Sequence, residues 1–175
     1  MRDNDVMNKT MDVAETRRLE AVAALHVLDT PRDDRFDELA ARAAALFDAP
    51  VALITLIDAD RQWFKARLGT DLCETERQFS FCEHAIRTPD RVMVVPDATL
   101  DPRFKANPYV VAGPKFRFYA GAPLITRSGA AVGTLCVLGC KPMGVEPDHI
   151  ELIQYLARQV MRLMEPPASA ASAAD

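Results

Sequence analysis

The chain has 175 residues, 49% of them apolar and 26% charged, a composition that fits one globular core and excludes a disordered or fibrous protein. Its 21 basic and 25 acidic side chains give a net charge of -4, which excludes nucleic acid as the main partner because phosphate binding needs a concentrated positive field. The longest apolar run, Val51 to Ile57, is too short to span a bilayer and the opening MRDNDVMNKT has no apolar signal segment, so a cytoplasmic protein without a membrane partner is expected.

Residues 1–13 read as a polar tail. A first helix follows near Met11 to Leu28, where Leu19, Val22 and His26 recur at spacings of three and four. Thr30 before Pro31 then supplies a capping residue and a proline at the first helical position. In this second helix Phe36, Leu39, Ala40, Ala43, Leu46 and Phe47 form one apolar stripe. Val51 to Ile57 is short, apolar and β-branched, the pattern of a strand buried on both faces. After the turn residues Asp58 to Arg61, Phe64, Ala66 and Leu68 alternate with Trp63, Lys65 and Arg67, which predicts a hairpin partner with one wet face. Ser80 caps a short helix Phe81 to Ile86, Val92 to Val95 reads as a strand, and an irregular loop runs from Pro96 to Pro114. Phe116 to Ile125 and Ala131 to Leu138 form a second hairpin across Ser128 and Gly129. Pro147 opens a last helix, and PPASAASAAD at 166–175 reads as a disordered low-complexity tail. Hairpins in series with helices at both ends imply an α+β domain at 14–165, with an antiparallel sheet of five or six strands.

The segments LDTPRDDRFDELA, LITLIDADRQWFKARLG, FSFCEHAI, VVPDATLDPRFKANP, FRFYAGAPL and GTLCVL occur in the order of similar segments in the GAF domains of bacterial sensor histidine kinases and diguanylate cyclases. The chain resembles that family over 14–165. The resemblance implies terminal helices on one face of the sheet and a ligand-sized pocket under loops on the other. It also implies a non-catalytic sensory module of bacterial signal transduction, of the two-component type, with a kinase or cyclase output domain as partner. It identifies neither ligand nor cofactor.

Several residues are candidates for the chemistry. Cys82 and His84 lie two apart near a helix start; residues so spaced point about 200° apart on a helix, a poor geometry for a thiol–imidazole pair. They are read either as a buried thiol and a loop brace, or as ligand contacts. Glu83 splits the Cys–His adjacency that covalent bilin attachment uses in some GAF relatives. Cys73, Cys82, Cys136 and Cys140 read as reduced thiols, and the spacing of Cys82, His84, Cys136, Cys140 and His149 gives no local metal chelate. Asp97, Asp101, Arg103 and Asn107 either brace the long loop or touch a ligand. Arg117 and Tyr119 share one strand face, which would suit an acidic or aromatic ligand, and Trp63 is either hairpin core or a ligand platform.

These residues lead to a cytoplasmic sensor that binds a small molecule between the sheet and the segments Phe79 to Ile86 and Pro96 to Pro114. His84, Asp97, Arg103, Asn107 and Tyr119 are expected to converge there. The signal would pass to the terminal helices. The wide stripe Ile150, Leu152, Ile153, Leu156, Ala157, Val160, Leu163 and Met164 predicts a homodimer through those helices. The alternatives are a scaffold module without ligand, or a thiol-dependent reductase of free methionine sulfoxide.

Overall fold

The computed structural model describes the backbone of residues 3–166 and the side chains of residues 13–166. In chain order it contains α1 (Asp3–Ala24), α2 (Asp34–Phe47), β1 (Val51–Ile57), β2 (Arg61–Leu68), β3 (Glu74–Glu76), a 3-10 turn (Arg77–Phe79), α3 (Phe81–Ala85), β4 (Met93–Val95), α4 (Pro108–Val111), β5 (Phe118–Ile125), β6 (Ala131–Gly139) and α5 (Pro147–Met164). The six strands form one antiparallel sheet in the order β3-β2-β1-β6-β5-β4. The fold is the α+β architecture read from the periodicity. The predicted tail at 166–175 falls, apart from Pro166, outside the described residues.

β1 and β6 are the centre of the sheet, and each is buried along its whole length. On β1, Ala52, Ile54 and Leu56 face the helices, while Val51, Leu53 and Ile57 face the opposite side. The helix side is closed by Phe36, Leu39, Ala43 and Phe47 of α2 and by Ile153, Leu156, Val160 and Met164 of α5. The α5 stripe is therefore packed against the sheet and α2; Leu152 and Tyr155 are the large apolar residues left exposed on that helix.

Three local expectations change. α1 starts at Asp3 and not near Met11. α2 is capped by Asp33, whose carboxylate accepts from the Arg35 N–H at 3.0 Å, and not by Thr30. The Thr30 hydroxyl is committed elsewhere, donating to the Val27 carbonyl at 2.6 Å and accepting from Lys65 Nζ at 2.8 Å. That second bond also explains why β2 has no wet face. The β1–β2 register pairs Ile54 with Ala66 and Thr55 with Phe64, leaving Lys65 as the extra residue of a bulge. Lys65 turns under α2, donates to the Pro31 carbonyl at 2.6 Å and lies 5.3 Å above the Phe36 ring, so its stem is buried while its amine is hydrogen-bonded.

β3 escaped the sequence reading because it is three polar residues long. Arg61 holds it, donating to Glu74 at 2.7 Å as well as to Asp29 and Asp58.

The central pair also sets a close approach. A Cβ on Gly133 would stand 1.8 Å from the Thr55 carbonyl oxygen, so β6 can lie against β1 only with glycine there. Gly133→Ala is expected to lower stability in urea unfolding by about 1–3 kcal/mol or more. Gly144→Ala, where a Cβ meets nothing within 4 Å, should stay within about 0.5 kcal/mol of the parent.

Candidate functional site

The sheet face away from α2 and α5 is only partly covered by α3 and the segment from Pro96 to Phe116. The space left is a cavity of about 490 Å³, walled by β1, β2, β5 and β6 on one side and by Phe79 to Cys82, Tyr109, Pro114 and Phe116 on the other. Its walls are mainly Val51, Leu53, Phe64, Leu72, Phe116 and Leu138. No Asp, Glu, Lys, Arg or His lines it among the described residues.

Besides Thr70, Tyr109 and Cys140, two hydrogen-bonded clusters of polar groups reach the cavity. At one, Ser80 caps α3 by accepting from the Glu83 N–H at 3.1 Å and donates its hydroxyl to Gln62 Oε1 at 2.5 Å; Gln62 Nε2 donates to Thr75 Oγ1 at 3.1 Å. At the other, Cys82 Sγ accepts from Thr134 Oγ1 at 3.0 Å and from the Tyr119 hydroxyl at 3.3 Å. Cys136 Sγ lies 3.7 Å from Cys82 Sγ. With both thiols protonated Cys82 donates to Cys136; once Cys82 is ionised the hydrogen between the two sulfurs is that of Cys136. Burial alone raises the Cys82 thiol; the donors Cys136, Thr134 and Tyr119 outweigh it and bring the pKa down to about 7. Burial pushes Cys136 up, and so does its bond to Cys82. Tyr119 is raised by burial first and then by the two sulfurs.

The Tyr119 ring is held from both sides. Phe81 stacks on it at 5.2 Å and Phe104 on Phe81 at 4.2 Å, while a Cβ on Gly121 would stand 2.0 Å from the Tyr119 hydroxyl oxygen. Glycine at 121 is what lets the phenol lie flat enough to reach Cys82.

Of the eight residues singled out as ligand contacts, Cys82 and Tyr119 line this cavity; the other six do not. Trp63 is on the opposite face, in the helix-side core, because β2 alternates there. His84 projects from α3 against the edge of Phe104 at 4.9 Å, with its pKa lowered by burial and by Arg87 and Arg103. Asp97 accepts from the Thr99 N–H and hydroxyl, and Arg103 pairs with Asp101 at 2.6 Å and lies over Phe104. Asn107 caps α4 and donates to the Phe79 carbonyl at 2.8 Å. Arg117 donates to the carbonyls of Val110, Lys115 and Phe116. These are braces of the long loop, and the expected polar convergence of His84, Asp97, Arg103 and Asn107 with Tyr119 does not occur. Gln62, Thr75, Tyr109 and Phe116 were missed. Gln62 shares the alternation of Phe64, a signal that the expected wet face concealed.

One charged group joins the cavity wall to the first helix. Arg77, two residues before Phe79, donates to Glu83 of α3 at 2.8 Å, to Glu15 of α1 at 2.7 Å and to the Asp58 carbonyl at 2.9 Å. Glu15 is held at about 2, first by Arg18 and then by Arg77, against the opposing effect of burial. No group of three His, Cys, Asp or Glu placed for a metal ion occurs among the described residues, and no helix there is long and apolar enough to cross a membrane.

The folded pKa of Glu15 lies below its unfolded value of about 4.3, so the stability it contributes is complete above about pH 5 and is lost as pH falls toward 2. Urea unfolding across that window should lose stability less steeply in Arg77→Met than in the parent.

Comparison with known proteins gives three further findings. The model of the GAF domain family matches residues 31–164. A cyclic di-GMP phosphodiesterase of Pseudomonas aeruginosa is 45% identical over 148 residues, a match that takes in 84% of this chain and 25% of that protein, so the chain spans about a quarter of its length. Among solved structures, the GAF domain from an Acinetobacter phosphoenolpyruvate-protein phosphotransferase superposes with a TM-score of 0.63 at 16% identity, covering 96% of this chain and 98% of that one. Free methionine-R-sulfoxide reductase from Neisseria meningitidis, in complex with its substrate, gives 0.62 at 16% identity, covering 89% and 88%. At such identities the two structures establish a shared fold alone.

Proposed function

The chain belongs to the GAF domain family, and from that premise we propose that it is a non-catalytic sensory module whose cavity takes a neutral, largely apolar small molecule. The observation that carries the reading is the uncharged lining of a 490 Å³ space. A phosphate or carboxylate buried there would find no basic side chain as counter-charge, and the cost of stripping its water would go uncompensated. This disfavours a phosphorylated ligand such as a cyclic nucleotide, and the acidic ligand that Arg117 would have suited. It equally disfavours free methionine sulfoxide, a zwitterion, although the thiol pair would supply the nucleophile of the reductase reading.

The output would be a phosphodiesterase activity such as the one for which the similar Pseudomonas aeruginosa protein is named, or a kinase or cyclase. Occupancy of the cavity would reach α1 through Phe79, Arg77 and Glu15. Self-association through the terminal helices is part of the proposal, and it would use the exposed Val13, Leu152 and Tyr155 in place of the buried stripe. Sedimentation velocity is then expected to give a dimer that Tyr155→Glu converts to monomer.

The neutral dye Nile red, which fluoresces in apolar surroundings, tests the cavity. Saturable binding is expected, with about 2.7 kcal/mol of added stability at a hundredfold excess over Kd, and Leu138→Trp, which fills the wall, should abolish it. Stabilisation by cyclic di-GMP with no effect of Nile red would reverse the reading.

A further inference from the structure

The sensory reading makes no use of the sulfur chemistry at the cavity floor. Cys82 and Cys136 come from elements far apart in sequence, the short helix α3 and the central strand β6, yet their sulfurs lie 3.7 Å apart. A disulfide needs about 2.05 Å, so closing the pair takes a movement of under about 2 Å, within reach of side-chain rotation and a small shift of α3. Both thiols are buried, and both also line the cavity, which gives a small reagent a path to them. Around Cys82 stand two hydroxyl donors, Thr134 and Tyr119, and Thr134 is itself backed by Thr55 Oγ1 at 3.2 Å. Donors arranged in this way stabilise a thiolate on Cys82 and leave Cys136 as the thiol beside it.

We propose that Cys82 and Cys136 are a peroxide-reactive dithiol, which closes to an intramolecular disulfide when a small hydroperoxide enters the cavity. Cys82 is the attacking sulfur. Its thiolate forms a bond to the terminal peroxide oxygen, the O–O bond breaks, and hydroxide, or an alkoxide when the hydroperoxide is organic, leaves and takes up the proton that Cys82 released; Cys82 becomes a sulfenic acid. The sulfur of Cys136 then attacks that of Cys82, the S–S bond forms, the S–O bond breaks, and the oxygen leaves as water with the proton of Cys136. In sum two thiols are oxidised by two electrons and one hydroperoxide is reduced; for hydrogen peroxide the products are the disulfide and two waters.

Cys140 also borders the cavity but, like Cys73, is exposed, whereas Cys82 and Cys136 are buried. The buried pair has a consequence for the cavity. Once Cys82 is in a disulfide, its sulfur is a poor acceptor, and the buried hydroxyls of Tyr119 and Thr134 lose the partner they now share. Oxidation would therefore reshape the floor on which any cavity ligand rests. The inference does not depend on the neutral-ligand reading, since it needs only the passage of a peroxide.

The test uses the full chain, reduced and then exposed to one equivalent of hydrogen peroxide, with disulfides mapped by mass spectrometry without reduction. The expected result is a chain not cross-linked to another copy, with Cys82 joined to Cys136 and free thiols falling from four to two. The double variant Cys73→Ser, Cys140→Ser should oxidise at the same rate. In Cys136→Ser, dimedone should trap the sulfenic acid on Cys82; if that variant does not fold, the map of the parent chain decides. Cross-links confined to Cys73 or Cys140, or Cys82 and Cys136 surviving as thiols while the exposed pair is oxidised, would overturn the proposal.

Discussion

The antiparallel pairing of β1 with β6 is the constraint on which the rest of the structure depends. Both strands are covered on both faces, so every second residue serves one core and its neighbours serve the other. The register that sets Leu53 opposite Cys136 and Thr55 opposite Thr134 delivers a thiol and two hydroxyls to the cavity face at one level of the sheet. A slip of one residue would turn these groups toward α2 and α5, and would put Ile54 and Leu56 in the cavity. Gly133 guards that register, since only its lack of a side chain admits the Thr55 carbonyl.

Around this pair the molecule has two unlike halves. On the helix side, two amphipathic helices pack Phe, Leu, Ile and Val against β1, and the open space there, about 540 Å³ beside Ala122, Ala157 and Met161, lies between α5 and β5. On the other side a helix of five residues and a braced loop cover the same area incompletely. Hydrogen bonds and ion pairs do there what apolar packing does opposite: Asn107 ties α4 to Phe79, Arg117 gathers three carbonyls, and Arg77 bridges α1, α3 and the β1–β2 turn. A cover built from directional bonds keeps its shape without filling the space beneath it, which is why a cavity survives on this face.

Periodicity made the long elements legible. The stripes of α2 and α5, the doubly buried β1 and the β5–β6 hairpin were visible because burial there repeats with the period of the element. The segment containing the cavity could also be named, since the long loop and the short helix were what remained to cover the second face. The identity of its contacts was not legible. Polar residues in the loop attracted notice as chemistry, yet Asp97, Arg103 and Asn107 spend their hydrogen bonds on their own turns and neighbouring carbonyls. Many of the residues that line the space, Val51, Leu53, Phe64 and Leu138 among them, are ordinary apolar strand positions, indistinguishable by type from core. Lys65 misled for a related reason. A bulge shifts the alternation by one, and no residue pattern in β2 announces it. Cys82 and Cys136 are 54 residues apart, so their meeting depends on the sheet register and could not be read from spacing.

The flat seat of Tyr119 over Gly121 has a consequence for how this protein can change over generations. The two positions are a coupled pair: a side chain at 121 is admissible only after the phenol at 119 has been replaced by something smaller. Such a replacement would enlarge the cavity and, in the same step, strip Cys82 of one of its donors. Drift toward a larger guest and drift toward a less reactive sulfur therefore run along one path, so that lineages descending from this chain would trade guest size against thiol character and would not vary the two independently.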